Sequence, residues 1–374
     1  MSAPRIVVAG GGTGGHVFPA VAVVEAMQSL ASAEVTFCGT ARGVEARVIP
    51  ARGWPLELLD VEPMKGMGAA RALRAGAVAA RATLRSVGLL RRLRPNAVLS
   101  VGGYAAGPLA LAAALGGVPV AVLEPNRVVG LTNRILAPFA RRAYVAWEEA
   151  GARFRPSARR PFGVPVRSGF APRPYVLYGT ARVLVMGGSQ GASALNDRMP
   201  DALARLRGKV TGLDVLHQAG PGRDAGVRAA YAALGVERVV VAPFLDDVAA
   251  AIADADVVVA RAGAGTIAEI AAVGRASILV PFPSAADDHQ GRNAEGFARA
   301  GAAVAVRQDQ ADAARLAGEI ARVLLDDQAR TSMADAARSH GRPGAAHDIA
   351  VDLLDLARRG AGAPGAGSRF DGGA

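Results

Sequence analysis

Residues 5–16 read "RIVVAGGGTGGH": an arginine, four apolar residues, then a glycine-rich turn that ends at His16. A short apolar run opening into glycines reads as a parallel strand, a loop and the start of a helix. Residues 182–193, "RVLVMGGSQGAS", repeat the device. In such a loop glycines let the backbone approach a ligand. The first N–H groups of the following helix, carrying roughly half a positive charge from its dipole, face an anion.

Working outward, the N-terminal half alternates. Strand-like runs at 6–9, 35–38, 56–60, 97–100, 118–123 and 143–146 are separated by helical patterns at 16–30, 43–51, 69–93, 104–115 and 129–138. Alternation resumes with runs at 183–186, 215–217, 239–241, 257–260, 277–280 and 303–306, followed by helices at 310–325, 329–339 and 345–359. Apolar strands alternating with helices predict an α/β chain with doubly wound parallel sheets. Between the halves, residues 151–181 hold Pro156, Pro161, Pro165, Pro172 and Pro174 and read as a connection. The expected division is 1–166, with a helix at 343–359 packing back on it, and 167–342, two Rossmann-like halves facing across a cleft. The low-complexity stretch 360–374 is expected to be disordered.

The chain has 374 residues, a formal charge of +11 and one cysteine, Cys38. Such a charge suggests an anionic partner. With one cysteine no intrachain disulfide forms, which fits a reducing compartment. The N-terminus enters a strand pattern directly, without the pattern of a signal peptide. Residues 97–123 carry no charge and exceed the roughly 20 residues of a membrane span. Their glycines and prolines instead predict strand, glycine loop, buried helix, turn and strand.

Gly10, Gly12 and Gly15 match the dinucleotide fingerprint, but an NAD site needs an acid at the end of the second strand. That strand runs Phe37-Cys38-Gly39-Thr40-Ala41-Arg42. NADP held by Arg42 is the alternative. His16 sits in the first helical turn, where a neutral imidazole could take a proton from a hydroxyl. In the second half Gly187–Gly191 form another anion loop. Gly263–Thr266 open a helix, with Glu269 one turn on, suited to a phosphate and a pair of vicinal hydroxyls. Asp287, Asp288, His289, Gln290 and Asn293 crowd a helix start after a strand, a place for sugar hydroxyls. Their spacing fits no standard zinc pattern.

The motifs "GGTGGH", "SVGGYAAGP" at 100–108, "EPNRVVGLTNRIL" at 124–136, "GVPVR" at 163–167, "GGSQGA" at 187–192, "PFLDDVA" at 243–249, "RAGAGTIAEIA" at 261–271 and "DHQGRNA" at 288–294 together resemble the MurG family. These are GT-B glycosyltransferases of family 28 in peptidoglycan synthesis, and the resemblance spans about residues 5–358. It implies inverting transfer of GlcNAc from UDP-GlcNAc to the C4 hydroxyl of MurNAc in undecaprenyl-diphosphate-linked muramyl pentapeptide (lipid I), yielding lipid II. It implies no cofactor and no bound catalytic metal. The N-terminal half would take the acceptor and the membrane, the C-terminal half UDP-GlcNAc.

Matching position by position, the resemblance makes His16 and Glu124 the candidate bases. Thr13, Gly14 and Gly15 would line the sugar end, and Asn126 would hold the GlcNAc. Arg167 and Ser189 would contact the diphosphate, and Leu245 the uracil. Ala264, Gly265, Thr266, Ile267, Ala268 and Glu269 would take phosphate and ribose, and Gln290 the sugar hydroxyls. Gly102, Gly103 and Tyr104 would help hold the acceptor diphosphate. Many family members have His-Glu-Gln-Asn where this chain has Leu123-Glu124-Pro125-Asn126: Glu124 and Asn126 are kept, and the departure at the first position weakens any role for it in the chemistry.

Residues 65–94 hold eight basic residues and no acid. On a helix Arg74, Arg81, Arg85 and Arg92 fall within about 40° of one another, beside an apolar stripe of Leu73, Ala77, Ala80, Leu84 and Val87. This predicts peripheral docking on the anionic cytoplasmic face of the cell membrane. Aromatic interleaving and nucleic-acid motifs are missing from the basic stretch, which argues against nucleic acid.

Overall fold

A computed structural model describes residues 3–59, 61, 69–175, 179–188, 190–210 and 212–362; for 69–80 and 361–362 it describes the backbone alone. The chain forms two compact units, Met1–Arg167 with Gly344–Ala374, and Ser168–Pro343. The stretch from 363, expected to be disordered, lies outside the described residues.

The first unit carries β1 (Arg5–Ala9), β2 (Glu34–Gly39), β3 (Leu56–Leu58), β4 (Ala97–Ser100), β5 (Val120–Glu124), β6 (Ala140–Val145) and β7 (Arg159–Arg160). They form one sheet in the order β3-β2-β1-β4-β5-β6-β7. Every pairing is parallel. Every residue of β4 and β5 is buried, as a strand covered by helices on both faces must be. The charge-free stretch 97–123 is thus β4, the helix Ala106–Leu115 and the start of β5. Among the described residues no helix is long and apolar enough to cross a membrane.

The helix Ala345–Gly362 closes this unit. Ile349, Leu353 and Leu356, spaced to share one helical face, are buried in the same core as Val17, Val21 and Val24 of the helix Gly14–Leu30. Each such side chain contributes about 1.5–3 kcal/mol of burial. Asp352 then accepts from Arg142 Nε at 2.9 Å and from the Tyr144 hydroxyl at 2.9 Å.

The second unit carries β8 (Ala181–Met186), β9 (Leu213–Gln218), β10 (Val239–Ala242), β11 (Val257–Ala260), β12 (Ser277–Leu279) and β13 (Val304–Ala305). Their order is β10-β9-β8-β11-β12-β13, again all parallel.

One expectation changes. Residues 151–167 are not a bare connection: Pro156 opens a short 3-10 turn, and Arg159–Arg160 pair with Ala143–Tyr144 as the seventh strand. A two-residue edge strand flanked by prolines has no periodicity to betray it. The basic helix Ala69–Leu93 turns Ala82, Ser86 and Leu90 inward. Leu84, of the apolar stripe, is 73% exposed.

Candidate active site

In an open parallel sheet, ligands bind beyond the carboxyl ends of the strands, where the strand order reverses. In the first sheet that point lies between β1 and β4. The loops that follow these two strands are the glycine motifs at 10–13 and 101–104. They interlock backbone to backbone. Gly103 has φ +80°, and a Cβ there would lie 2.7 Å from the Gly11 carbonyl oxygen. Gly102 has φ +85°, and a Cβ there would lie 3.2 Å from the His16 ring. Both positions therefore require glycine.

Thr13 is the N-cap of the helix Gly14–Leu30, but its hydroxyl caps no backbone N–H. It lies 3.2 Å from His16 Nδ1. Gly14 and Gly15 form the first turn. Tyr104 reaches the opposite side of the loop, its hydroxyl 3.5 Å from Thr40 Oγ1.

Glu124 ends β5 and is 2% exposed. Its Oε1 accepts from the Asn126 backbone N–H at 3.1 Å and from Asn126 Nδ2 at 3.3 Å. Its Oε2 accepts from the Gly130 N–H at 2.9 Å and Asn133 Nδ2 at 3.0 Å. Burial raises its pKa, and these four donors pull against that rise. Glu124 thus shapes the 125–130 loop and aims the Asn126 side chain. Asn133, which the sequence reading passed over, also donates to the Leu123 carbonyl at 3.0 Å.

Arg167 lies in the first unit at its boundary. Its guanidinium sits 5.6 Å from the ring of Phe18, two residues on from His16 in the same helix. Along the basic helix Arg81, Arg85 and Arg92 are exposed. Arg92 is paired at 2.8 Å with Glu57 of β3, an acid from outside the basic stretch. The Arg74 side chain lies outside the described residues.

In the second sheet the reversal lies between β8 and β11. The loop after β8 is packed on the end of β9, where Gln218 Nε2 donates to the Gly188 carbonyl at 3.2 Å. Asn196 Nδ2 donates to the Ala219 carbonyl at 2.9 Å. Asn196 Oδ1 lies 3.1 Å from Nε2 of the buried His217, whose Nδ1 lies 2.9 Å from the Tyr231 hydroxyl. Burial lowers the His217 pKa to about 4, so the ring is neutral. An amide oxygen only accepts, so Nε2 carries the proton and Tyr231 donates to Nδ1. Ser189 lies outside the described residues.

After β11, Gly263 caps the helix Ala264–Val273. The Ile267 N–H already donates to the Gly263 carbonyl at 3.0 Å, and the Ile267 side chain is buried. The first-turn donors that the helix itself leaves unused are those of Ala264, Gly265 and Thr266. Ile267 and Ala268 therefore offer a ligand less than their place in the motif suggests. Glu269 follows, half-buried. Leu245 is half-buried beside Phe244, which is 44% exposed.

Gln290 stands in the first turn of the helix His289–Arg299, and its Oε1 accepts from the Phe282 N–H at 3.0 Å. The loop before it is strained: Asp287 and Asp288 both have φ +51°. Arg307 Nη1 holds both Asp288 oxygens at 2.8 Å, and Nη2 binds Glu295. Arg307 stands outside every motif. Among the described residues no three His, Cys, Asp or Glu side chains converge as a metal site.

The model of the glycosyltransferase family 28 N-terminal domain matches residues 6–145, and that of its C-terminal domain residues 182–349. The chain is 53% identical to the UDP-N-acetylglucosamine--N-acetylmuramyl-(pentapeptide) pyrophosphoryl-undecaprenol N-acetylglucosamine transferase of Sorangium cellulosum, covering 94% of this chain and 88% of that one. It is 44% identical to the transferase of the same name from Anaeromyxobacter dehalogenans, covering 96% and 95%. The crystal structure of Acinetobacter baumannii MurG superposes with a TM-score of 0.77 at 32% identity, covering 94% of this chain and 99% of that one. A Neisseria meningitidis UDP-GlcNAc 2-epimerase shares the fold alone, at 13% identity and a TM-score of 0.64. With both family models matched in order and such relatives along nearly its whole length, the chain belongs to glycosyltransferase family 28 and, within it, to the family of these undecaprenol-linked N-acetylglucosamine transferases.

Proposed function

We propose that this chain transfers GlcNAc from UDP-GlcNAc to the C4 hydroxyl of MurNAc in undecaprenyl-diphosphate-linked muramyl pentapeptide, with inversion, making lipid II. The observation that carries this is the Sorangium relative of that activity, whose 53% identity runs through both units.

The second unit takes the donor. The N–H groups of Ala264, Gly265 and Thr266, with the dipole behind them, stabilise the diphosphate as its charge grows on departure. Glu269 accepts from the ribose hydroxyls, and Leu245 lies along the uracil. Gln290, its oxygen committed to Phe282, turns its NH2 toward the sugar hydroxyls. Ser189 and Arg167 complete the contacts to the diphosphate, and Asn126, aimed by Glu124, holds the GlcNAc.

The first unit takes the acceptor, with Gly102, Gly103 and Tyr104 as its second loop. His16 is the base. With Nδ1–H donating to Thr13 Oγ1, Nε2 takes the proton of the C4 hydroxyl as its oxygen attacks the anomeric carbon. UDP leaves from the opposite face. Glu124 is the other candidate, and its raised pKa suits a base. Four donors already occupy its oxygens, however, so positioning Asn126 and Asn133 is its better role.

The lipid-linked acceptor requires work at a membrane surface. Arg81, Leu84 and Arg85 on one exposed helical face fit peripheral docking on an anionic leaflet, on the cytoplasmic side where nucleotide sugars are made.

The test is UDP release from UDP-GlcNAc with and without a short-chain lipid I analogue, EDTA present throughout. Acceptor-dependent release is expected. UDP-GlcNAc binding without such release would overturn the acceptor assignment.

A further inference from the structure

Beneath the first glycine loop lies a carboxylate that the reaction as described does not use. Glu45, in the short helix Glu45–Val48, is 1% exposed. Its Oε2 accepts from the Gly12 N–H at 2.7 Å. Its Oε1 accepts from the Thr40 N–H and the Thr40 hydroxyl, both at 2.9 Å. Among the described residues its partners are donors rather than cations. The backbone presses against it: a Cβ at Gly11 would lie 2.2 Å from its carboxyl carbon, and one at Gly43 would lie 2.0 Å from Oε2. A carboxyl group this deep is held only where its hydrogen bonds are made. So the carboxylate dictates where these donors stand.

We propose that Glu45 is a positioning residue for transfer: by taking the Gly12 N–H it sets the loop that presents Thr13 and His16 to the acceptor. The inference rests on His16 as the base. It has two consequences. The Gly12 N–H is turned inward, so the anion-binding donors of this loop are those of the helix start at Gly14 and Gly15. And because the Thr40 hydroxyl proton goes to Glu45, the Thr40 oxygen accepts from the Tyr104 hydroxyl across 3.5 Å. That leaves the Tyr104 oxygen facing the acceptor as a hydrogen-bond acceptor, suited to a hydroxyl or amide N–H rather than a phosphate oxygen.

Glu45→Gln breaks this arrangement in either amide orientation, since its NH2 must face either the Gly12 N–H or the donors of Thr40. In the full-length enzyme kcat with the lipid I analogue should fall about 10- to 100-fold, as for a base displaced by a fraction of an ångström. The acceptor KM should move less than about 3-fold, and UDP-GlcNAc affinity should not change. A lower Tm with kcat unchanged well below it would make Glu45 merely structural and overturn the proposal, as would a loss confined to KM. If Glu45→Gln does not fold, Thr40→Val, which removes one of the three donors, decides: a kcat about 3-fold lower at unchanged Tm supports the proposal, and an unchanged kcat overturns it. Failure of the wild-type enzyme to use the acceptor would instead count against the function proposed above.

Discussion

At the carboxyl ends of the strands around the first sheet's switch point, carboxylates hold the loops from behind. Glu45 accepts the Gly12 and Thr40 N–H groups, and Glu124 those of Asn126 and Gly130. At the switch point of the second sheet, side-chain amides do the holding, and they bind carbonyls: Gln218 takes Gly188 and Asn196 takes Ala219. Acids consume backbone donors and place negative charge behind the loop. Amides consume backbone acceptors and leave donors for a ligand. Under the function proposed above, one fold device is thereby tuned to two ligands, a neutral hydroxyl that must lose a proton and a diphosphate that must gain charge. The position of a glycine loop in a sheet identifies a site, while the side chains beneath it select the chemistry.

Four measurements would break or sharpen this contrast. The largest effect is expected at His16. His16→Ala should lower kcat about 10²- to 10⁴-fold, the usual contribution of a general base, while calorimetric affinity for UDP-GlcNAc stays unchanged; a variant of near-normal rate would remove the base from the first unit. Glu269→Ala should weaken UDP-GlcNAc binding about 10- to 100-fold, as loss of a charged hydrogen-bond partner does, with the acceptor KM unmoved. Equal losses for both substrates would dissolve the division of labour.

The third concerns what holds the second loop. His217 titrates near 4 in the folded chain against an ordinary 6.5. Between those values the unfolded chain binds the extra proton, so stability is full above pH 6.5 and is lost as pH falls toward 4. The loss approaches about 3 kcal/mol and should appear as a falling denaturant midpoint of the second unit. His217→Gln should flatten that slope, and an unchanged slope would show that the neutral ring is not what acid attacks. The smallest effect is at the membrane. Arg81→Glu with Arg85→Glu should weaken binding to vesicles containing anionic lipid by roughly tenfold or more, at about 1 kcal/mol per basic residue, and leave UDP-GlcNAc binding intact; unchanged vesicle binding would remove the helix from the docking surface.

The sheets were legible because buried parallel strands are short apolar runs. β4 and β11 coincide with their predicted bounds at 97–100 and 257–260. The glycine loops were legible because each follows such a run. Glu45 and Arg307 were not, since neither belongs to a periodic pattern, and the partner that ties each to a site loop, Gly12 for Glu45 and Asp288 for Arg307, stands 33 and 19 residues away. A contact of that kind is created by the fold and leaves no local trace. Periodicity says which residues share a helical face, not which face the sheet will cover, so it did not show that Ala82, Ser86 and Leu90 turn inward while Leu84 is exposed. The pairing of Arg92 with Glu57 was not legible either, since the acid comes from β3, outside the basic stretch.

The helix Ala345–Gly362 bears on the order in which the protein is made. The first unit's core includes Ile349, Leu353 and Leu356 as well as Val17, Val21 and Val24. The second unit, Ser168–Pro343, lies wholly between those two sets. On the ribosome the second unit has its full sequence before the first does. The half encoded first is therefore the half completed last, and until then the apolar stripe of the helix Gly14–Leu30 is left for chaperones to shield.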